Sequence, residues 1–202
     1  YDYEKEGVWQ LGEEAAAAAN GQEPGDIKVQ DVDGNGVITT DDRIIYSQRP
    51  DVTFGFNNTF NYKGFDLSVF LYARLGQWIA YDYNTTYRIN ALENGGNVDY
   101  WTPENPTNAF PCPNKSKSYT QVTYYSTLKY EDGSFFKIRD ITLGYTFKPE
   151  LLKHLNLSKL RVYATAKNFF TFSKIDNYDP EQGGSISFPM TKQLVFGLNV
   201  EF

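Results

Sequence analysis

The chain has 202 residues and a formal charge of −6, with a mean hydropathy of −0.52 and an isoelectric point near 4.9. That acidity argues against a nucleic-acid partner, which calls for a basic face. One cysteine and one histidine exclude a disulfide framework and nearly exclude a Cys/His zinc centre or a triad with a choice of bases.

Aromatic residues make up 17% of the chain, with 16 Tyr and 15 Phe, inside a sequence that is polar on average. A transmembrane β-barrel has this composition because lipid-facing and lumen-facing side chains alternate. A tyrosine-rich β-sandwich shares it. No apolar run approaches the ~20 residues of a spanning helix. The opening "YDYEKEGVWQ" carries no signal-peptide pattern and reads as the interior of a longer sequence. Cys112 in "FPCPNKS" reads as a loop residue, and His154 in "ELLKHLNL" as a surface or turn histidine.

In chain order, residues 1–50 form a loop region that begins with a brief helix in "GEEAAAAANGQEPGD". Glu13 and Glu14 suit the positive end of that helix, the alanines favour it, and Gly21 stops it. "DVDGNGVITTDD" then fits a twelve-residue calcium loop starting at Asp31. Asp33 takes position 3, Asn35 position 5, Gly36 the turn at 6, the Val37 carbonyl position 7 and Asp42 position 12. Alternating oxygen donors at this spacing curl around a single point, and a flexible, oxygen-rich site suits Ca2+ better than Mg2+. Asp42 is shorter than the bidentate Glu usual at position 12, which predicts weaker binding or a bridging water. A metal-free Asp/Asn/Gly turn is the alternative. A regulatory pair of such loops is disfavoured, because there is no second copy and no amphipathic helix before Asp31. The expected role is a structural brace.

From Asp51 the period changes to two. Val52, Phe54, Phe56, Phe60 and Tyr62 alternate with Thr53, Gly55, Asn57, Thr59 and Asn61. After a tight turn at Lys63–Gly64, Phe65, Leu67, Val69, Leu71, Ala73 and Leu75 oppose Asp66, Ser68, Tyr72 and Arg74. Each strand has about the length of a tilted membrane-spanning strand. A long irregular region follows, about residues 76–133. Such a loop is improbable within a compact soluble domain but ordinary on the outer side of a membrane barrel. Its Trp78, Tyr81, Tyr83, Tyr87, Tyr100 and Trp101 are candidate platforms for sugar rings or peptide side chains; packing within the loop or against another protein is the alternative.

Three more alternating strands come next: "SFFKIRDITLGYTF", "LRVYATAKNFFTF" and, over 193–202, "QLVFGLNVEF". Asp66, Arg74, Arg161 and Lys167 fall on the polar side, where a barrel has its lumen. Tyr62, Tyr145 and Phe147 lie near strand ends, as interfacial girdles do. The alternation of Leu198, Val200 and a terminal Phe202 matches an outer-membrane assembly signal. Five strands cannot close a barrel, which needs about eight or more, and open edges in lipid leave amides unpaired. The remaining strands are therefore expected from elsewhere in the same protein.

Taken in order, "GQEPGDIKVQDVDGNGVITTDDR", "FGFNNTFNYKGFDLSVFLYARLGQ", "DYWTPENPTNAFP", "DGSFFKIRDITLGYTF", "LRVYATAKNFFTF" and "FGLNVEF" resemble the C-terminal part of SusC/RagA-type TonB-dependent transporters. The resemblance covers nearly the whole chain. It implies an all-β fold, the C-terminal fragment of a 22-stranded transmembrane antiparallel barrel with a plugged lumen and long extracellular loops, residues 51–202 supplying its last strands. It also implies import of a nutrient oligosaccharide or peptide across the outer membrane, a SusD-like lipoprotein lid, energy delivered through the TonB complex, contact with outer-membrane lipid, and no enzymatic activity. A secreted carbohydrate-binding β-sandwich with a structural calcium is the competing reading. A hydrolase finds no support, since no paired carboxylates stand out.

Overall fold

The computed structural model describes residues 1–89, 96–153 and 156–202; the reading of His154 lies outside them. The described chain is mostly strand and loop, and it divides into two bodies.

The first body comprises Tyr1–Gln48, Trp78–Glu131 and Gly183–Ile186. Strand β1 (Asp2–Tyr3) and β2 (Lys5–Val8) open it, helix α1 (Glu14–Ala19) follows, then β3 (Ile27–Val29) and β4 (Arg43–Ile44). β1 pairs with β4, and β2 with β3, both antiparallel. Helix α1 ends as the sequence predicts. The amides of Gly21 and Gln22 donate to the carbonyls of Ala18 and Ala17, with Gly21 at φ +69°. This reversal satisfies the last carbonyls of the helix and needs a residue free to take positive φ. Gln22 then turns inward: Trp9 Nε1 donates to its Oε1 at 2.7 Å and its Nε2 donates to the Ile27 carbonyl at 2.9 Å. Both polar ends of a buried amide are thereby satisfied. The core gathers Ile27, Val29, Tyr87, Ile89, Val122 and Leu128. The long loop is thus far from structureless. It contributes β7 (Trp78–Ala80), β8 (Tyr130–Asp132), several 3-10 turns and four of those six core residues, Tyr87, Ile89, Val122 and Leu128.

The second body holds one antiparallel sheet, in the order β5 (Val52–Tyr62), β6 (Phe65–Leu75), β9 (Phe135–Thr146), β10 (Lys159–Ser173) and β11 (Gln193–Glu201). Neighbours in space are neighbours in sequence once the loop body is set aside. A short helix, α2 (Pro149–Leu152), lies in the β9–β10 connection. The register links all five strands. Phe60, Leu67, Leu143, Ala164 and Phe196 form one cross-strand row. One residue along, Asn61, Asp66, Gly144, Tyr163 and Gly197 form the next. Because side chains alternate across a strand, the first row lies on one face and the second on the other.

The apolar face is uncovered. Phe60, Leu143, Phe196 and Leu198 are 60%, 51%, 74% and 68% exposed. In a β-sandwich this face would be the core, about 10 Å from a second sheet. The sandwich expectation is therefore not met.

Two irregularities bear on function. Pairing of β6 with β9 steps from Phe70↔Asp140 to Leu71↔Ile138, leaving Arg139 as an extra residue. Pairing of β10 with β9 steps from Lys167↔Asp140 to Phe170↔Ile138, with Asn168 at φ +59°. A bulge shifts the alternation by one. Strict period two would put Lys137 beside Ile141 and Leu143; the bulge instead returns Ile138 and Phe136 to the apolar face and sends Lys137 to the polar one.

Candidate functional site

The acidic loop lies between β3 and a 3-10 turn at Thr40–Asp42. Asp31 accepts the amides of Gly34 (2.8 Å) and Gly36 (2.7 Å) on its two oxygens. Asp33 accepts the Asn35 amide at 3.0 Å and its Nδ2 at 2.7 Å, and Asn35 Oδ1 accepts the Val37 amide at 2.8 Å. Asp42, fully buried, joins the loop's two ends: its oxygens accept from Val32 at 2.8 Å and Thr39 at 2.7 Å. Hydrogen bonds to the charged form, led by that from Thr39, hold the Asp42 carboxyl below the usual carboxylate range against the opposing effect of burial. Gly34 and Gly36 sit at φ +72° and +83°, the conformation for which glycine is the default residue.

Of the five expected ligands, the structure brings Asp31, Asp33 and Asp42 together, with carboxylate oxygens within 4.8 Å of one another. Among the described residues no lysine or arginine ion-pairs with any of the three. Asn35 turns toward Asp33, and Val37 is exposed. This is a hard-oxygen donor set of converging like charges, which a divalent cation fits. The surrounding fold is strand, loop and 3-10 turn rather than two long helices.

The six loop aromatics separate into two groups. Tyr81, Tyr87 and Trp101 are 4–5% exposed, which corrects the expectation that they are ligand platforms. Tyr87 donates its hydroxyl to the Pro111 carbonyl at 2.8 Å, and burial pushes its phenol pKa up. Trp101 Nε1 donates to Gln10 Oε1 at 2.8 Å. A long loop must bury apolar surface of its own to stay ordered, and these rings supply it. Trp78 is half-buried, edge-on to Tyr46, which itself stacks on Tyr130 at 4.1 Å. Tyr83 is half-buried with its hydroxyl on the Asn97 carbonyl. Tyr100 alone of the six is exposed.

On the polar face of the sheet, Arg161 Nε meets Asp66 Oδ1 at 2.9 Å and its Nη2 meets Oδ2 at 2.5 Å. Lys167 lies 3.8 Å from Asp140, the hydroxyls of Thr142 and Thr165 are 2.9 Å apart, and Arg74 Nε donates to the Tyr72 hydroxyl at 2.8 Å. The charges that the sequence places on the polar side thus pair mostly within their own sheet. Leu198 and Val200 sit on the apolar face and Phe202 is exposed beyond β11. Tyr145 packs between Phe65 and Phe147, at 4.6 and 5.1 Å.

The sequence reading missed a further cluster. Lys137, completely buried, donates to Asp179 Oδ2 at 2.7 Å and Glu181 Oε2 at 2.8 Å, and Arg139 lies 3.1 Å from Glu181 Oε1. The sign of it was a lysine and an arginine alternating with the apolar residues of "FFKIRD", with an acidic "DPE" in the connection between β10 and β11.

Known proteins agree with this geometry. No protein-family model matches the chain. It is 31% identical over 228 residues to TonB-dependent receptor P3 of Formosa agariphila, covering 100% of this chain and 22% of the relative. It is 31% identical over 180 residues to TonB-dependent receptor SusC of Bacteroides thetaiotaomicron, covering 85% of this chain and 17% of the relative. Among solved structures, that of the RagAB peptide transporter superposes with a TM-score of 0.71 at 24% identity, over 100% of this chain and 22% of that one. The open-open state of the RagAB peptide importer gives a TM-score of 0.65 at 25% identity. The chain spans about a fifth of the length of the relatives it matches. It belongs to the SusC/RagA-type TonB-dependent transporters of the outer membrane.

Proposed function

We propose that this chain supplies part of the wall and the external loops of an importer that takes up a nutrient oligosaccharide or peptide across the outer membrane. The observation that carries the reading is the single-layer sheet, apolar and bare on one face, polar and ion-paired on the other. The bare face meets hydrocarbon and the paired face meets a water-filled lumen. β5 and β11 each have a neighbour on one side only among the described residues. Unpaired edge amides in lipid cost several kcal/mol each, so further strands of the full protein must flank both, in a barrel of the 22-stranded, plugged kind. Short turns such as Lys63–Gly64 face the periplasm, and the long connections between strands face outward. There the protein meets a SusD-like lipoprotein lid, while the TonB complex drives transport from the other side.

In the same reading the acidic loop holds a structural Ca2+ through Asp31, Asp33, Asn35, the Val37 carbonyl and Asp42. The support is three carboxylates converging without a basic partner among the described residues. Calcium titration of the full-length protein is expected to give one site that Asp31→Asn abolishes. Unchanged binding in that variant removes the assignment.

The transport function is tested by deleting the gene that encodes the full protein and growing the strain on panels of single glycans and of peptides. Loss of growth on members of one panel, restored by the intact gene, is expected. Undiminished growth and undiminished uptake of labelled substrates on both panels would overturn it.

A further inference from the structure

Beyond its role as wall, the sheet carries a fastening. β10 runs past the start of β11, and the chain leaving it turns back along the polar face of β9 and β10. Ile175 is buried, its amide on Ser173 Oγ and that hydroxyl on the Ile175 carbonyl. Pro180 is fully buried. Asp179 Oδ1 accepts the Glu181 amide at 3.0 Å, and the Gln182 amide reaches the Asp179 carbonyl at 3.3 Å. The segment is thereby folded on itself and laid against the strands.

Charge holds it there. Lys137 has no exposed surface, and an ammonium group so placed needs full compensation. It finds Asp179 and Glu181, 42 and 44 residues along the chain. Arg139, displaced by the bulge, takes the second oxygen of Glu181, and the Thr171 hydroxyl donates to Asp179 at 3.2 Å. Two cations meet two carboxylates, so the cluster is neutral and closed. The bulges at Arg139 and Asn168 are what aim the cations to the polar face rather than the apolar one.

We propose that Lys174–Gln182 is a strap latched shut across the polar face at the outer ends of β9 and β10, with Lys137 as the latch. This inference rests on the barrel reading. In that setting the strap takes up lumen-side space at the external mouth and stays in place while other loops move. Removing the latch charge leaves two carboxylates to share the one remaining cation, Arg139, against a buried wall, and the strap lifts.

The test is hydrogen exchange on the full-length transporter in detergent, read at the Glu181 and Gln182 amides. Migration of the unheated protein as a compact, heat-modifiable band first checks that a barrel has formed, so failure of that reading is seen separately. Protected amides are expected in the wild type. In Lys137→Met they should exchange at least about tenfold faster, with β10 amides unchanged; Asp179→Asn with Glu181→Gln should match it, and Lys137→Arg should retain most of the protection. Should Lys137→Met not yield a folded barrel, Glu181→Gln alone, which alters only the strap, decides by the same tenfold criterion. Unprotected amides in the wild type, or unchanged protection in the deciding variant, overturn the proposal.

Discussion

Arg161 on β10 and Asp66 on β6 grip each other across an intervening strand, and the residue beneath them is Gly144 of β9. A Cβ at Gly144 would stand 2.5 Å from Arg161 Nη2 and 2.6 Å from both Asp66 oxygens. The missing side chain is what allows a bidentate pair between strands that are not neighbours. Gly144→Val should therefore cost more than removal of the pair itself. Overpacking costs about 1–3 kcal/mol, whereas Asp66→Asn, with both partners partly exposed, should cost roughly 1 kcal/mol or less. The temperature at which the full-length barrel loses its compact band ranks the two. Equal losses would mean that the glycine serves only the ion pair.

The turn between β5 and β6 makes a sharper demand on its glycine. Lys63 and Gly64 have φ of +47° and +90°, the paired positive values of the favoured two-residue hairpin turn. A Cβ on Gly64 would also lie 2.8 Å from the Thr146 carbonyl oxygen, which is backbone and cannot swing aside. Gly64→Ala is expected to lower stability by about 1–3 kcal/mol. Lys63→Gly, which relieves positive φ at a non-glycine residue, should be neutral or mildly stabilising. The same thermal assay reads both; a Gly64→Ala variant as stable as wild type would contradict the geometry.

How far these features were legible in the sequence depends on the range of the interaction. Local alternation placed Phe60, Leu67, Leu143 and Leu198 on one side and Asp66, Arg161 and Lys167 on the other, because period two is written residue by residue. It could not reveal the bulge at Arg139, which exists only relative to β6 and β10, and so gave no sign that Lys137 reaches the polar face. The partners of Lys137 lie more than forty residues away. Tyr81, Tyr87 and Trp101 looked like surface platforms because a loop rich in Asn and Pro shows no periodicity. Their burial, Tyr87's in a core with Ile27 and Leu128, is a tertiary outcome. The acidic loop was readable in full spacing, since each of its hydrogen bonds spans fewer than about a dozen residues.

The acidic loop also has a pH signature. Backbone amides, Thr39's first, depress the folded-state pKa of Asp42. A depressed carboxyl stabilises the fold fully above its unfolded value, about 4, and loses that contribution as the pH falls through the lower folded value. Protection factors at the Val32 and Thr39 amides should accordingly stay level from neutral pH to about 4 and drop below it. In Asp42→Asn they should start lower and show no such fall. A decline that begins well above pH 5 in the wild type would assign the transition to another group.

The sharpest test of which face meets lipid uses the same substitution at two positions on one strand. Leu198 and Val195 are both apolar, both exposed, and three residues apart on β11, so they lie on opposite faces. Hydropathy alone predicts similar costs for replacing either by lysine. The register does not: Leu198 stands opposite Val162 in the apolar set, and Val195 opposite Thr165 in the polar one. A lysine facing hydrocarbon near the bilayer midplane costs about 2–4 kcal/mol, less toward the interfaces. A lysine facing water within the lumen keeps its hydration, so Val195→Lys should cost roughly 1 kcal/mol or less. Refolding yield into lipid vesicles and thermal loss of the compact band should both fall for Leu198→Lys and stay near wild type for Val195→Lys. The reverse order would turn the sheet inside out, placing the Arg161–Asp66 pair against lipid, where partly solvated charges have no means of support.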